Sequence, residues 1–151
     1  MAANARVRHI GLWSDDPPKT AEFYKNYLGL KELFRKPADT GADGVWLSDG
    51  YIYFAVTKTK PGGNGGISHI GFNVDDLEGT SDALNASHTQ PGEYIRAEPS
   101  PIKKITKEHN RKFVGPEGVK FDLRSRGWDD AIKARMQLYE LKPVGPTADN
   151  S

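Results

Sequence analysis

Two histidines occupy the same place in a short phrase that the sequence contains twice. His9 opens the phrase His-Ile-Gly-Leu-Trp-Ser-Asp-Asp, and His69 opens His-Ile-Gly-Phe-Asn-Val-Asp-Asp. A repeat of this length in a chain of 151 residues predicts two copies of one supersecondary unit. Two copies related by pseudo-symmetry bring the imidazoles to one point, and imidazole is the commonest protein ligand for metals. The alternative is that two strands each bury a structural histidine.

An aspartate near the end of the second unit is the third candidate ligand. The two units can be aligned on their turns, which matches residues 49–54 with residues 117–122. Apolar and polar residues alternate along the second stretch, so its apolar side should face the helices and Asp122 should face the other way. A carboxylate in the middle of a strand needs a partner. That partner is a metal ion or, at a wet sheet surface, Lys120 or Arg124.

Two imidazoles and one carboxylate form a ligand set that leaves coordination positions open. The histidines should share a face with Asp122, because the apolar neighbours of His9 and His69 form the side that packs on the helices. Such a set is used by non-haem iron and also by zinc and manganese. The alignment puts Phe54 at the place in the first unit that corresponds to Asp122. We therefore expect three protein ligands and not four.

Two β-α-β-β-β units have to position these side chains. In the first unit, residues 6–57, strands are predicted at 7–13, 30–36, 45–47 and 51–57, with a helix at 17–28. A Gly-rich linker occupies 58–66. In the second unit, residues 67–124, strands are predicted at 67–74, 93–97, 111–114 and 119–124, with a helix at 77–87. A C-terminal helix at 127–141 and a flexible tail at 142–151 follow.

The composition is that of one ordinary globular domain. The net charge is +1 and 36% of the residues are hydrophobic, so a core can form and bulk electrostatics favour neither nucleic acid nor a membrane surface. The absence of cysteine excludes disulfides, thiolate metal sites and a thiol nucleophile. No stretch approaches the roughly 20 apolar residues of a membrane span, and the N-terminus lacks a signal-peptide core. We expect a cytoplasmic protein.

The repeated units resemble the vicinal oxygen chelate superfamily, which includes glyoxalases, bleomycin resistance proteins and extradiol dioxygenases. Residues 15–30 resemble the family's D-x-x-x-x-x-x-F-Y-x-x-x-L-G, and residues 115–123 resemble its closing D-P-D-G-x-x-x-E-L. The resemblance covers residues 6–124. It implies a single α+β domain, in which two tandem βαβββ modules form an eight-stranded cupped mixed sheet. It also implies His9 and His69 as metal ligands, with Asp122 in place of the usual glutamate.

The resemblance also narrows the function. Glyoxalase I and methylmalonyl-CoA epimerase take a fourth ligand where this chain is expected to have Phe54, whereas extradiol dioxygenases use two histidines and a carboxylate. We therefore expect a metal-dependent enzyme, with extradiol ring cleavage of a catecholic or similar vicinal-oxygen substrate favoured. Fe(II) is favoured over Mn, Zn or Ni. A glyoxalase-like lyase, isomerase or thiol transferase is the first alternative. A protein that sequesters a planar small molecule is the second.

The residues expected to contact an aromatic substrate are mostly apolar. Aromatic walls favour an aromatic guest through burial and stacking, although such side chains can also simply fill the cup. The expected acid–base residue is His109, with Tyr94 as second choice; in its Lys-rich loop, His109 is alternatively just exposed. The lining expected from strand parity consists of Trp13, Ile52, Phe54, Val56 and Asn73.

Units of this kind commonly pair between chains as well as within one chain, so we expect a homodimer. The apolar side of the C-terminal helix is the candidate contact and carries Ile132, Met136 and Tyr139.

Overall fold

The structure, a computed structural model, describes residues 4–36, 44–87 and 110–125. The predicted α+β class is confirmed, and the predicted elements in these ranges are present within about two residues of their expected ends. The strand expected at 93–97, the helix expected at 127–141 and the tail lie outside the described residues. The described elements are β1 Arg6–Ser14, α1 Pro17–Leu28, β2 Lys31–Lys36, β3 Gly44–Ser48, β4 Tyr53–Lys58, β5 Gly66–Asn73, α2 Leu77–Ser87, β6 Asn110–Val114 and β7 Lys120–Arg124, with a 3₁₀ turn at Pro116–Gly118.

One mixed sheet holds the seven described strands in the order β2-β3-β4-β1-β5-β7-β6. At its centre β1 and β5 pair antiparallel, with Ile10 opposite Ile70. On their outer sides β1 pairs parallel with β4, and β5 pairs parallel with β7. Among the described strands, β3, β4 and β1 therefore mirror β6, β7 and β5 in layout about an axis that passes between Ile10 and Ile70, as the repeated phrase predicts.

Helix α1 is fixed at both ends by the residues that the sequence places there. Asp16 precedes the helix, and its Oδ1 accepts a hydrogen bond from the backbone N–H of Lys19 at 3.2 Å. Pro17 occupies the first turn, where a missing N–H costs nothing. Gly29 ends the helix with a φ of 70° and donates to the Lys25 carbonyl at 3.1 Å. Neither this helix nor any other in the described ranges is long and apolar enough to cross a membrane.

Both helices pack on one face of the sheet, which we call the helix face. One buried cluster lies under α1 and surrounds the fully buried Ala21. The other lies under α2 and contains Leu77 of that helix. The alternate residues of each strand therefore point to the opposite face, which we call the histidine face. The strand and loop members of the two clusters are Leu12, Val45, Leu47 and Val56 in the first, and Val74, Phe113 and Leu123 in the second.

A β-bulge precedes each histidine in the central strand pair. The register of β1 against β5 shifts by one residue at Arg8 and again at Ser68. Arg8 comes directly before His9, and Ser68 comes directly before His69. Bulges re-aim side chains, and here they place an additional polar side chain beside each histidine. Simple alternation, on which the sequence prediction rested, misses both shifts.

Asp16→Ala should lower the free energy of unfolding by about 1 kcal/mol, because the N-cap hydrogen bond of α1 is lost. Asp15→Ala removes the same charge one residue earlier, where the side chain makes no hydrogen bond to the described residues, and should cost only about 0.3 kcal/mol. Urea denaturation of both variants measures the difference. Equal losses would mean that Asp16 acts through its charge alone.

Candidate functional site

The structure brings His9, His69 and Asp122 together on the histidine face. The Nε2 atoms of the two histidines lie 3.0 Å apart, and Oδ2 of Asp122 lies 3.5 Å from Nε2 of His69. His9 and Asp122 are only 6% and 5% exposed. The three residues meet because β5, which carries His69, lies between β1 and β7.

Both imidazoles are oriented through their other ring nitrogen. His9 donates from Nδ1 to the backbone carbonyl of Tyr53 at 3.0 Å, since a carbonyl can only accept. Nδ1 of His69 is 2.7 Å from the hydroxyl of Ser68, which can donate or accept. These contacts turn the two Nε2 atoms towards each other, and metal-ligating histidines are held in the same way.

A glycine on the neighbouring strand leaves room for the ring of His69. Gly11 pairs with His69 across β1 and β5. A Cβ atom at Gly11 would lie 2.3 Å from Cε1 of His69 and 2.6 Å from Oγ of Ser68, well inside van der Waals contact. The same pairing sets His9 opposite Gly71. The glycine of the repeated phrase therefore faces the histidine of the other unit.

The donor atoms match a divalent metal in type, and the two nitrogens also match in spacing. Metal–nitrogen bonds of about 2.1 Å at right angles separate two nitrogens by about 3.0 Å, as in the histidine pair. Within the described ranges, no three His, Asp or Glu side chains already surround one point as a metal-binding group. Oδ1 of Asp122 lies 4.0 Å from Nζ of Lys112 instead. Metal binding would therefore require Asp122 to approach the histidine pair.

The strand register corrects the alignment of the two units by one residue. Asp122 lies opposite Gly71 of the repeated phrase, and the residue opposite Gly11 in the first unit is Ala55, not Phe54. Two residues separate Gly50 from β4, but only one separates Gly118 from β7, so matching the turns shifted the strands by one residue. Alanine cannot ligate a metal. Three protein ligands remain our prediction, with Ala55 at the fourth position.

Two of the residues expected to contact the substrate lie on the helix face. Phe54 stacks on Tyr24 of α1 with ring centroids 6.0 Å apart, and Val56 is buried in the same cluster. The expectation for these two residues is wrong, because a shift of one residue reverses the face of every side chain in β4. Ile52 lies in the turn before β4, where its backbone N–H donates to Asp49.

Trp13 and Asn73 lie on the histidine face, as expected. Nζ of Lys120 is 5.6 Å from the centre of the Trp13 ring. Asn73 has the same strand parity as His69, and its buried Oδ1 has no hydrogen-bond partner in the described part of the chain. The two acid–base candidates, His109 and Tyr94, lie outside the described residues.

Two aromatic residues of the histidine face were missed by the sequence analysis. Phe34 of β2 and Trp46 of β3 stack with ring centroids 4.5 Å apart and planes 10° apart, and both are almost fully buried. Trp46 pairs with Ala55, so the stack begins one strand beyond the fourth-ligand position. The buried aromatic pair of this face therefore comes from other residues than those expected. Correct parity in β4 is the signal that would have revealed it.

Comparison with known proteins gives a family and a fold. Residues 6–123 match the family model of the Glyoxalase/Bleomycin resistance protein/Dioxygenase superfamily. No curated protein matches the sequence. Among solved structures, a hypothetical protein from Bacillus halodurans C-125 has a TM-score of 0.59 and 18% identity, over 80% of this chain and 94% of that chain.

Methylmalonyl-CoA epimerases are also among the similar structures. The enzyme from Mycobacterium tuberculosis has a TM-score of 0.56 and 16% identity, over 82% of this chain and 91% of that one. A variant of the Streptomyces coelicolor enzyme, in complex with 2-nitronate-propionyl-CoA, has a TM-score of 0.53 and 18% identity, over 78% and 92%. At these identities the likeness establishes the fold alone.

Gly11→Ala should destabilise the protein by about 1–3 kcal/mol, because the new Cβ atom overlaps the ring of His69. The same change in a His69→Ala background should cost much less, because the ring is gone. Urea unfolding of the four proteins gives the coupling energy between the two positions. An equal cost in both backgrounds would contradict the contact.

Ala55→Glu should place a further carboxylate beside the histidine pair and raise the affinity for zinc about tenfold. Phe54→Glu should instead bury a charge in the helix-face cluster and destabilise the protein by about 3 kcal/mol or more. Zinc titration calorimetry and thermal melting measure the two effects. The opposite pattern, with tighter zinc binding in Phe54→Glu, would favour the alignment based on the turns.

Proposed function

Because the chain belongs to the glyoxalase/bleomycin resistance protein/dioxygenase superfamily, we propose that it is an enzyme whose divalent metal is held by His9, His69 and Asp122. The observation that carries the proposal is the approach of the two Nε2 atoms to 3.0 Å, one from each copy of the repeated phrase. Two imidazole lone pairs repel each other at that distance. The pair therefore needs a shared cation or a shared proton.

The neighbours of each ligand support this role. The Tyr53 carbonyl accepts the proton of Nδ1 and so keeps Nε2 of His9 unprotonated. The Ser68 hydroxyl can accept from Nδ1 of His69, which would leave Nε2 of that ring unprotonated as well. Lys112 lies beside Asp122 and can balance its charge when the carboxylate has no other partner. A bound divalent metal would supply Lewis-acid stabilisation of two vicinal substrate oxygens.

Extradiol-type ring cleavage of a catecholic or similar substrate is the reaction that we favour. Three protein ligands leave positions for two substrate oxygens and dioxygen, and Ala55 adds no fourth donor. Fe(II) suits this reaction, while Mn, Zn and Ni suit the same donor atoms. The Phe34–Trp46 stack lies on the same face but is almost fully buried, so a planar guest would stack on it only after the covering side chains move. Trp13 and Asn73 are the other proposed substrate contacts.

An isomerase or lyase is the second candidate, and thiol transfer belongs to the same group of alternatives. It is favoured by the likeness in fold to methylmalonyl-CoA epimerases. His109 and Tyr94 remain our proposed acid–base residues for either reaction. A protein that sequesters a planar compound needs no metal. If the protein does not bind a metal, sequestration becomes the proposed function.

A homodimer remains part of the proposal. Helix α1 exposes Phe23, Tyr27 and Leu28, with 53%, 78% and 64% of their surface accessible, and a second copy would cover such an apolar surface. The contact proposed for Ile132, Met136 and Tyr139 remains a prediction, because these residues lie outside the described ranges. Light scattering coupled to size exclusion should give twice the chain mass, and a monomer would contradict the proposal.

After loading with Fe(II) or zinc and desalting, the protein should retain about one metal ion per chain. His9→Ala and His69→Ala should retain almost none, and Asp122→Asn should weaken retention at least about tenfold. Asp82→Asn, which changes an exposed acid on α2, is the matched control and should retain the metal. Elemental analysis by mass spectrometry measures all four. Equal retention, or none in the unaltered protein, would leave sequestration as the function.

Oxygen uptake separates the two proposed reactions. The Fe(II)-loaded protein should consume dioxygen when catechol or 3,4-dihydroxybenzoate is added, and His69→Ala should not. Deuterium exchange into methylmalonyl-CoA in heavy water tests the second candidate under the same metal loading. Exchange without oxygen uptake would replace the dioxygenase proposal by the isomerase.

A further inference from the structure

We infer that the substrate is an organic anion, and that Arg8 binds its carboxylate, or an equally compact oxyanion, beside the histidine pair. This inference rests on the proposed function and names a substrate class for it. Arg8 is the residue that the first β-bulge adds directly before His9. The β-bulge therefore places the positively charged Arg8 directly beside His9, a proposed metal ligand.

Arg8 is a buried guanidinium that no carboxylate of the described residues neutralises. It is 5% exposed, its Nε donates to the Tyr51 carbonyl at 2.9 Å, and its Cζ lies 4.3 Å from the centre of the Tyr51 ring. Nη2 is shielded from solvent and has no hydrogen-bond partner within the described ranges. A buried charge without a counter-charge is costly. A ligand oxyanion would remove that cost.

Two further buried polar atoms near Arg8 lack partners in the described part of the chain. They are the hydroxyl of Tyr53 and Oδ1 of Asn73. Tyr53 pairs with His9 on β4, and its ring centre is 5.9 Å from Cζ of Arg8. Asn73 lies on β5 near the same end of β1. Unsatisfied buried groups are rare in folded proteins, and a cluster across three adjacent strands marks a place for a bound water, ion or ligand.

The charges of the histidine face favour an anion over water there. By strand register, Lys112, Lys120 and Arg124 share this face with His9, and Asp122 is the single acid on it among the described strands. The guanidinium of Arg8 lies on the same face, beside the ring of Tyr53. Tyr53 can donate its hydroxyl hydrogen, and the amide of Asn73 can turn to present its NH₂ group. The cluster can therefore supply donors from three side chains to one oxyanion.

Access to these donors requires movement. Nη2 of Arg8 and the Tyr53 hydroxyl are shielded from solvent. An anion can therefore reach them only when the covering atoms move aside. Tyr51 and Tyr53 both pack against the guanidinium. Binding should therefore change the environment of two tyrosine rings, which near-ultraviolet circular dichroism detects independently of any activity.

Benzoate tests the anion site alone, because it carries a carboxylate on an aromatic ring and has no vicinal oxygens. Titrated into metal-free protein, it should bind and change the tyrosine dichroism. Arg8→Met keeps the buried stem and should weaken binding about tenfold or more. Arg35→Met removes the same charge from the exposed part of edge strand β2 and should leave binding unchanged.

Tyr53→Phe provides a test that does not depend on the folding of an arginine variant. Loss of this hydroxyl, which has no partner among the described residues, should raise the melting temperature by about 2–4 °C and still weaken benzoate binding several-fold. A merely structural hydroxyl would give no loss of binding. The inference is overturned if benzoate does not bind, or if Arg8→Met and Tyr53→Phe both bind it like the unaltered protein.

A second pair of probes separates this inference from the proposed metal function. In zinc-loaded protein, 3,4-dihydroxybenzoate should bind about tenfold more tightly than catechol, and Arg8→Met should abolish that preference. Zinc dependence of catechol binding reports the metal site only. Benzoate binding that needs Arg8, together with catechol binding that ignores zinc, would support the anion site and reject the metal site. Catechol binding that depends on zinc, with no tighter binding of 3,4-dihydroxybenzoate, would support the metal site and reject the anion site.

Discussion

The antiparallel pairing of β1 with β5 is the constraint on which the rest of the structure depends. It sets Gly11 opposite His69 and His9 opposite Gly71, and the first of these glycines leaves the space for the imidazole of the other unit. The bulges at Arg8 and Ser68 adjust this register on both sides of the central Ile10–Ile70 pair. A slip of one residue between β1 and β5 would put the two histidines on opposite faces of the sheet, so the site exists in a single register.

A symmetric scaffold here carries an asymmetric surface. Among the described elements, the two units share the order of three strands, the helix after the first strand and the bulge before the histidine, yet the equivalent positions Ala55 and Asp122 differ completely in chemistry. The first unit adds the Phe34–Trp46 stack, while the second adds the carboxylate and the lysines beside it. The surroundings of the histidine pair are thus apolar and aromatic towards one edge of the sheet and polar and charged towards the other.

Sequence reasoning succeeded where the signal was local or repeated. The caps Asp16 and Gly29, the two units and the meeting of three side chains follow from turn chemistry, from the repeat and from alternation within single strands. It failed where two distant strands had to be registered, because turns of unequal length hide a shift of one residue. That shift misplaced Phe54 and Val56, and a bulge that breaks the alternation concealed Arg8. Neither feature leaves a mark in residue type alone.

The close contact of Gly11 with the ring of His69 also bears on how such a chain can evolve. While the histidine is present, any side chain at position 11 meets its ring and the Ser68 hydroxyl, so selection for folding alone preserves the glycine. Once the histidine is replaced by a small residue, only the rotatable Ser68 hydroxyl opposes a larger side chain at position 11, and such side chains can then become fixed. The histidine then cannot return without a collision. Loss of the site by this route is therefore hard to reverse. Descendants keep the scaffold, but no single substitution restores the histidine pair.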